Sequence, residues 1–183
     1  MTPPCAMARK SPFSRPLPAA ESVPATPYIR VQAADFDAGE QIAAMQDRAA
    51  GAVVSFIGIA REFSGGHAID RMTLEHYPGM TERSLEQIAA QACERWELQA
   101  VRIIHRFGEL LPGDRIVLVA TASAHRDAAF DACRFIIDFL KTEAPFWKKE
   151  TGSGGAHWVE AKESDDRARE RWQDVPPGRG PAQ

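Results

Sequence analysis

Lys141-Thr142-Glu143-Ala144-Pro145-Phe146-Trp147-Lys148-Lys149-Glu150 joins the end of a helix to the start of a strand. Upstream, Phe130, Cys133, Ile136, Ile137 and Leu140 recur at helical spacing from Asp127 onward. Pro145 cannot continue that helix, and its ring pushes Ala144 out of the α region. Lys141 then sits in the last helical turn, with Lys148 and Lys149 just past a rigid corner. Phe146 and Trp147 give the corner an apolar body. Three ammonium groups held near one point beside aromatic surface suit a planar, anionic ligand. Taken alone, the cluster also reads as a complement to the helix dipole followed by a solubilised turn.

Working outward, Trp147–Glu150 and His157–Glu160 form a hairpin around Thr151-Gly152-Ser153-Gly154-Gly155. Tyr28–Gln32 alternates as a first strand. Asp35–Ala50 reads as a helix that Gly51 ends. Ala52–Ile59 reads as a largely buried strand, and Arg61–His67 as a mobile loop. Met72–Tyr77 is a strand, and Thr81–Trp96 a helix with Leu85, Ile88, Ala89 and Ala92 on its apolar face. Val101–Phe107 and Ile116–Thr121 are strands, paired antiparallel across Leu111-Pro112-Gly113-Asp114. Helical crossovers mixed with adjacent strand pairs predict an α+β sandwich with a mixed sheet. Residues 1–27, rich in Pro, Ala and Ser, read as a disordered extension. Residues 28–172 form one domain and 173–183 a flexible tail. From Lys162 onward the charged, then Pro- and Gly-rich chain is expected to fray after a short helical turn.

Of the 183 residues, 44% are hydrophobic and 26% charged, ordinary values for a globular domain. A formal net charge of −3 gives no footprint for nucleic acid. Cys5, Cys93 and Cys133 are odd in number and widely spaced, which suggests neither a disulfide framework nor a zinc ribbon. A reducing, cytoplasmic setting follows. No apolar run is long enough to span a bilayer.

Three polar groups fall at the ends of apolar elements, where α/β proteins place sites. These are Arg61, the pair His125-Arg126, and Lys141 with Lys148 and Lys149. Arg126 can grip a phosphate in two places, His125 can shuttle a proton, and the N–H groups near Asp127 add positive potential. A helix from Asp127 to Lys141 separates its ends by roughly 21 Å, too far for one small ligand to touch both. Either the clusters serve different sites, or a second copy of the chain brings its His125-Arg126 to the first copy's lysines. The histidines show no metal-ligand spacing. Thr151–Gly155 lacks the Gly-Lys-Ser/Thr ending of a phosphate loop. Cys133 lies on an apolar helix face and reads as core. Any sulfur this protein handles therefore arrives from outside.

The motifs Thr73-Leu74-Glu75-His76-Tyr77-Pro78-Gly79-Met80-Thr81-Glu82, Ile104-His105-Arg106-Phe107-Gly108-Glu109-Leu110, Pro112-Gly113-Asp114, Ser123-Ala124-His125-Arg126 and Lys141–Glu150, with His157-Trp158-Val159-Glu160-Ala161, resemble the catalytic (large) subunit of molybdopterin synthase. The likeness runs from about Tyr28 to about Trp172. It implies a dimeric, hammerhead-like α/β domain that needs no metal or cofactor. It also implies transfer of sulfur to cyclic pyranopterin monophosphate, forming a dithiolene. The donor would be the C-terminal Gly-Gly thiocarboxylate of a small ubiquitin-like subunit, in a heterotetramer built on a homodimer. Lys141 and Lys148 match the family's catalytic lysines. Arg61, His125 and Arg126 match its substrate-anion contacts. Ile59, Ala60, Lys149 and Glu150 fall in its substrate-contact segments, and Phe56 and Ile137 line its pocket. Lys162 stands where the family often has Arg, keeping the charge without the planar fork. Glu62-Phe63-Ser64 departs from the Asn-rich loop of relatives. The alternatives are an inactive relative serving as a scaffold for the small subunit, and a generic phosphate-ester enzyme. The second would need a metal site or nucleophile of its own.

Overall fold

In a computed structural model, the residues described are 25–64, 66–153, 155–159, 167–168, 170–173 and 175–176. In chain order they form β1 (Tyr28–Gln32), α1 (Ala38–Ala43), β2 (Ala52–Ile59), β3 (Phe63–Ser64), β4 (His67–His76), α2 (Met80–Arg95), β5 (Ala100–Arg106), β6 (Gly108–Leu110), β7 (Arg115–Ser123), α3 (Arg126–Glu143), β8 (Phe146–Gly152) and β9 (Gly155–Val159). The fold is α+β, with two sheets. One has the order β1-β5-β7-β2, with β1 parallel to β5 and the other two pairs antiparallel. The other runs β3-β4-β8-β9, with β6 also on β4, and all its pairs are antiparallel.

The two faces of the first sheet follow from the two-residue period of its strands. Val101 and Ile103 of β5, with Val117 and Val119 of β7, pack under Leu85, Ile88 and Ala92 of α2 and Phe135 and Ile136 of α3. Ile104, Leu118, Ala120 and Ala122 point the other way and are covered by Phe36 and Met45. Burial on both faces explains why these strands read as nearly unbroken apolar runs.

Several expectations change. The Asp35–Ala50 helix shrinks to α1, six residues started by Asp37, whose Oδ1 accepts the Glu40 N–H at 2.9 Å. Beyond it Asp47 Oδ1 takes the Ala49 N–H at 2.7 Å, a local bond that competes with helix. Met45 turns into the core, only 2% exposed. The strand through Phe107 stops at Arg106. Gly108, at φ +90°, then swings the chain into β6 on the second sheet, a conformation glycine adopts without strain. Part of Arg61–His67 is β3, paired with the start of β4. β2 is not largely buried: it is the outer strand of its sheet, with Phe56 and Ile59 exposed.

Among the described residues of the carboxy-terminal segment, Ala168 and Trp172 are buried. Trp172 is fully buried edge-on to Trp96 and Phe135, and its Nε1 donates to Asp138 Oδ2 at 2.9 Å. Residues 1–24, Lys162 and most of 173–183 lie outside the described residues.

Asp35 ties the ends of β5 and β7 to the loop after β1. Its carboxylate is paired with Arg115 and lies 3.7 Å from Arg106. Hydrogen bonding to Arg115 lowers its pKa from 3.8 to about 2. A depressed folded-state pKa contributes stability that is present above the unfolded value and lost as pH falls through the folded one. Asp35→Asn should therefore cost up to about 1 kcal/mol at neutral pH, the ceiling for so exposed a pair. Urea melts should show the gap to the parent closing between about pH 4 and pH 2, the window set by the shift from 3.8 to about 2. A gap that persists at pH 2 would remove the electrostatic account.

Candidate functional site

Where the two sheets meet the end of α3 there is a cavity of about 510 Å³. Phe56 and Ile59 of β2, His105 of β5 and Val117 of β7 come from the first sheet. Leu74 of β4, Phe146 and Lys148 of β8, and Val159 of β9 come from the second. Ile137 and Lys141 come from α3, and Arg61 from the loop after β2. The structure thus brings Phe56, Ile59, Arg61, Ile137, Lys141 and Lys148 to one concavity. A neighbouring hollow of about 40 Å³ shares Ile59, Arg61 and Lys148 and adds Ala60 and Glu150.

The cations are placed by local rules. α3 runs unbroken to Glu143, and Ala144, in an extended conformation, receives the turn that Pro145 forces. Lys141 is therefore in the last turn, where helix carbonyls favour a positive charge. β8 then alternates. Phe146, Lys148 and Glu150 share the inner face, and Trp147 and Lys149 the outer. Glu150, 3% exposed, is ion-paired with Lys148 and lies 3.7 Å from His157 Nε2. A buried carboxylate that accepts from Lys148 fixes where that ammonium points.

This alternation corrects the expectation of three ammonium groups around one point. Lys149 does not line the cavity; its Nζ lies 5.6 Å from the centre of the Trp158 ring, across the β8–β9 pair. Trp147, half exposed, also lies on that outer face, so the aromatic walls are Phe146 and Phe56. Nor are His125 and Arg126 at this cavity. They stand at the start of α3, about 22 Å from Lys141 by helical rise. Among the described residues Arg126 there makes an exposed ion pair with Asp127, at 3.0 Å. Lys162 lies outside the described residues.

One polar lining residue escaped the sequence reading. His105, 5% exposed, stacks on Phe146 with ring centres 3.7 Å apart. Its Nδ1 is 2.8 Å from the Arg106 carbonyl oxygen. Burial pushes its pKa down to about 4, so the ring is neutral at pH 7. The signal was present: His105 shares its strand face with Val101 and Ile103, both buried. Cys133 is core, as its position on α3 suggested. Burial pushes its thiol up to about 12, so it supplies no thiolate.

Residues 31–143 match the family model described as MoaE protein. The chain is similar to the molybdopterin synthase catalytic subunit of Pseudomonas aeruginosa, 53% identical over 148 residues, covering 80% of this chain and 99% of that one. Among solved structures it resembles the molybdopterin biosynthesis MoaE protein of Burkholderia ambifaria, with a TM-score of 0.70 and 49% identity over 80% of this chain and 98% of that one. It also resembles molybdopterin synthase from Staphylococcus aureus, with a TM-score of 0.68 and 31% identity over 72% and 96% of the two chains.

Proposed function

The chain belongs to the MoaE protein family of molybdopterin synthase catalytic subunits, sulfur-transferring enzymes of molybdenum cofactor biosynthesis, and we propose that it converts cyclic pyranopterin monophosphate with sulfur from the C-terminal thiocarboxylate of a small ubiquitin-like subunit. The observation that carries this reading is the cavity itself. Apolar and aromatic walls fit a flat ring, and Arg61, Lys141 and Lys148 supply charge for an anion. No thiolate or metal is asked of the protein, because the nucleophile arrives on the tail. The thiocarboxylate sulfur attacks a side-chain carbon of the substrate, forming a C–S bond as an oxygen leaves, and water then cleaves the resulting thioester, leaving the sulfur on the pterin and a carboxylate on the tail. Lys141 stabilises the developing charge and protonates that oxygen; Lys148, aimed by Glu150, positions the substrate.

Phosphate contacts from His125 and Arg126 require a second copy of the chain, and the fold offers a route. β2 ends the first sheet: among the described residues no strand pairs with its outer edge. Ala52, at its start, is paired with Ser123, two residues before His125. Ile59, at its end, lies two residues before Arg61. β2 spans roughly 26 Å, close to the length of α3. If two such edges join antiparallel about a twofold axis, the start of one lies against the end of the other. The partner copy's histidine and arginine at the start of α3 would then reach the cavity that Arg61 flanks. Such a pairing would also cover an apolar edge that is otherwise an aggregation hazard. We take this homodimer as the core of a heterotetramer working in the cytoplasm. No described helix is long and apolar enough to cross a membrane.

The direct test is a mass measurement. Mixed with thiocarboxylated small subunit and cyclic pyranopterin monophosphate, the protein should yield a pterin carrying two added sulfurs. Substrate recovered unchanged would leave the scaffold reading in its place.

A further inference from the structure

Among the described residues lining the cavity, the polar side chains are Arg61, His105, Lys141 and Lys148. Arginine and lysine donate hydrogen bonds and accept none. His105 is different. A carbonyl oxygen can only accept, so the contact with Arg106 makes Nδ1 the protonated nitrogen of the neutral ring. Nε2 is left with a lone pair, so among the described lining residues His105 is the one side chain that can accept. Exposure orders these groups. Arg61 and Lys141 are exposed and Lys148 partly so, whereas His105 is buried. The cations stand at the open side and the acceptor at the closed one.

We propose that His105 contacts the substrate, its Nε2 accepting a ring N–H of the pterin and so fixing which edge of the plane enters first. The inference rests on the substrate reading above. A pterin carries both things the cavity is built for: an anionic group for the open side, and N–H donors that need an acceptor once they leave water. An extended peptide tail also carries N–H groups, but it supplies no phosphate for three cations. Phe146 holds the imidazole plane by stacking, so the acceptor is in place before the ligand arrives.

The test is calorimetric binding of cyclic pyranopterin monophosphate, without the small subunit, to the parent protein, His105→Phe and His105→Gln. His105→Phe keeps an aromatic ring on Phe146 and loses the acceptor; binding should weaken roughly tenfold, the usual cost of a buried donor left unpaired. His105→Gln restores an acceptor near Nε2 and should stay within about threefold of the parent. Inorganic phosphate, which needs only the cations, should bind all three alike. Unchanged pterin binding in His105→Phe overturns the proposal. So does an equal loss of phosphate binding, or a loss confined to a peptide ending in Gly-Gly. If the parent itself binds phosphate but no pterin, the substrate reading fails first, and this one with it. Should the variants not fold, the parent labelled with 15N-histidine decides: the Nε2 resonance of His105 should move on adding the pterin, and one that stays put overturns the proposal.

Discussion

Lys141→Ala should reduce sulfur transfer by three orders of magnitude or more and leave the folded protein nearly unchanged. Lys141 is exposed, and its contribution to the fold is a favourable charge at the end of α3, about 0.3–1 kcal/mol. Its contribution to the reaction is larger. An ammonium about 4 Å from a developing oxyanion contributes about 4 kcal/mol at an effective dielectric near 20, equivalent to about a thousandfold in rate. Loss of a proton donor adds to this. Lys148 does not compensate, because Glu150, on the same strand β8, holds its Nζ. Lys141→Arg should recover only a little activity. The charge returns, but a guanidinium stays protonated and is a poor acid. Thermal melting and size exclusion should match the parent, while product mass under single-turnover conditions should show the loss. Turnover at the parent's rate in Lys141→Ala would end the assignment of this lysine to catalysis.

What the sequence disclosed about this site follows from chain direction and chemistry. Pro145 sets the end of α3 through its own ring, so the placement of Lys141 needed no tertiary information. The apolar runs of β5 and β7 announced strands because both faces of that sheet are covered. Other features depend on partners that no local pattern names. Lys148 and Lys149 are chemically alike, and only the register of β8 against β4 and β9 decides which one faces the cavity. The apolar run of β2 signals a strand equally well in the middle of a sheet and at its edge, so its exposure was hidden. Trp172 sits within a charged segment whose composition suggests solvent, yet its indole closes the core against Trp96 and Phe135. His105 was visible as a polar residue on an apolar strand face. Its contact with a cavity required the second sheet to arrive with Phe146.

Mixing two inactive variants should restore activity, and the amount identifies which chain supplies which group. Lys141→Ala removes the catalyst. Arg126→Glu places a negative charge where a phosphate is to be held, a juxtaposition that costs several kcal/mol, so each homodimer should fall a hundredfold or more below the parent. The exposed Arg126–Asp127 pair contributes little to stability, so the second change should leave the fold intact. In a homodimer with shared sites, one site of a mixed dimer takes Lys141 from the Arg126→Glu chain and Arg126 from the Lys141→Ala chain, and is whole. The other site carries both changes. Random mixing makes half the dimers mixed, so about a quarter of all sites are restored. If Arg126 instead served the cavity of its own chain, every site would carry one change or the other and mixing would restore nothing. The 18-residue helix between these residues already argues against that arrangement. Co-expression of the two variants under distinct affinity tags, with both tags purified in turn, isolates the mixed dimer and raises the expected restoration to about half of the parent's rate. Activity in that preparation no higher than in either homodimer would mean that the start of α3 does not serve this chemistry across the two-fold axis.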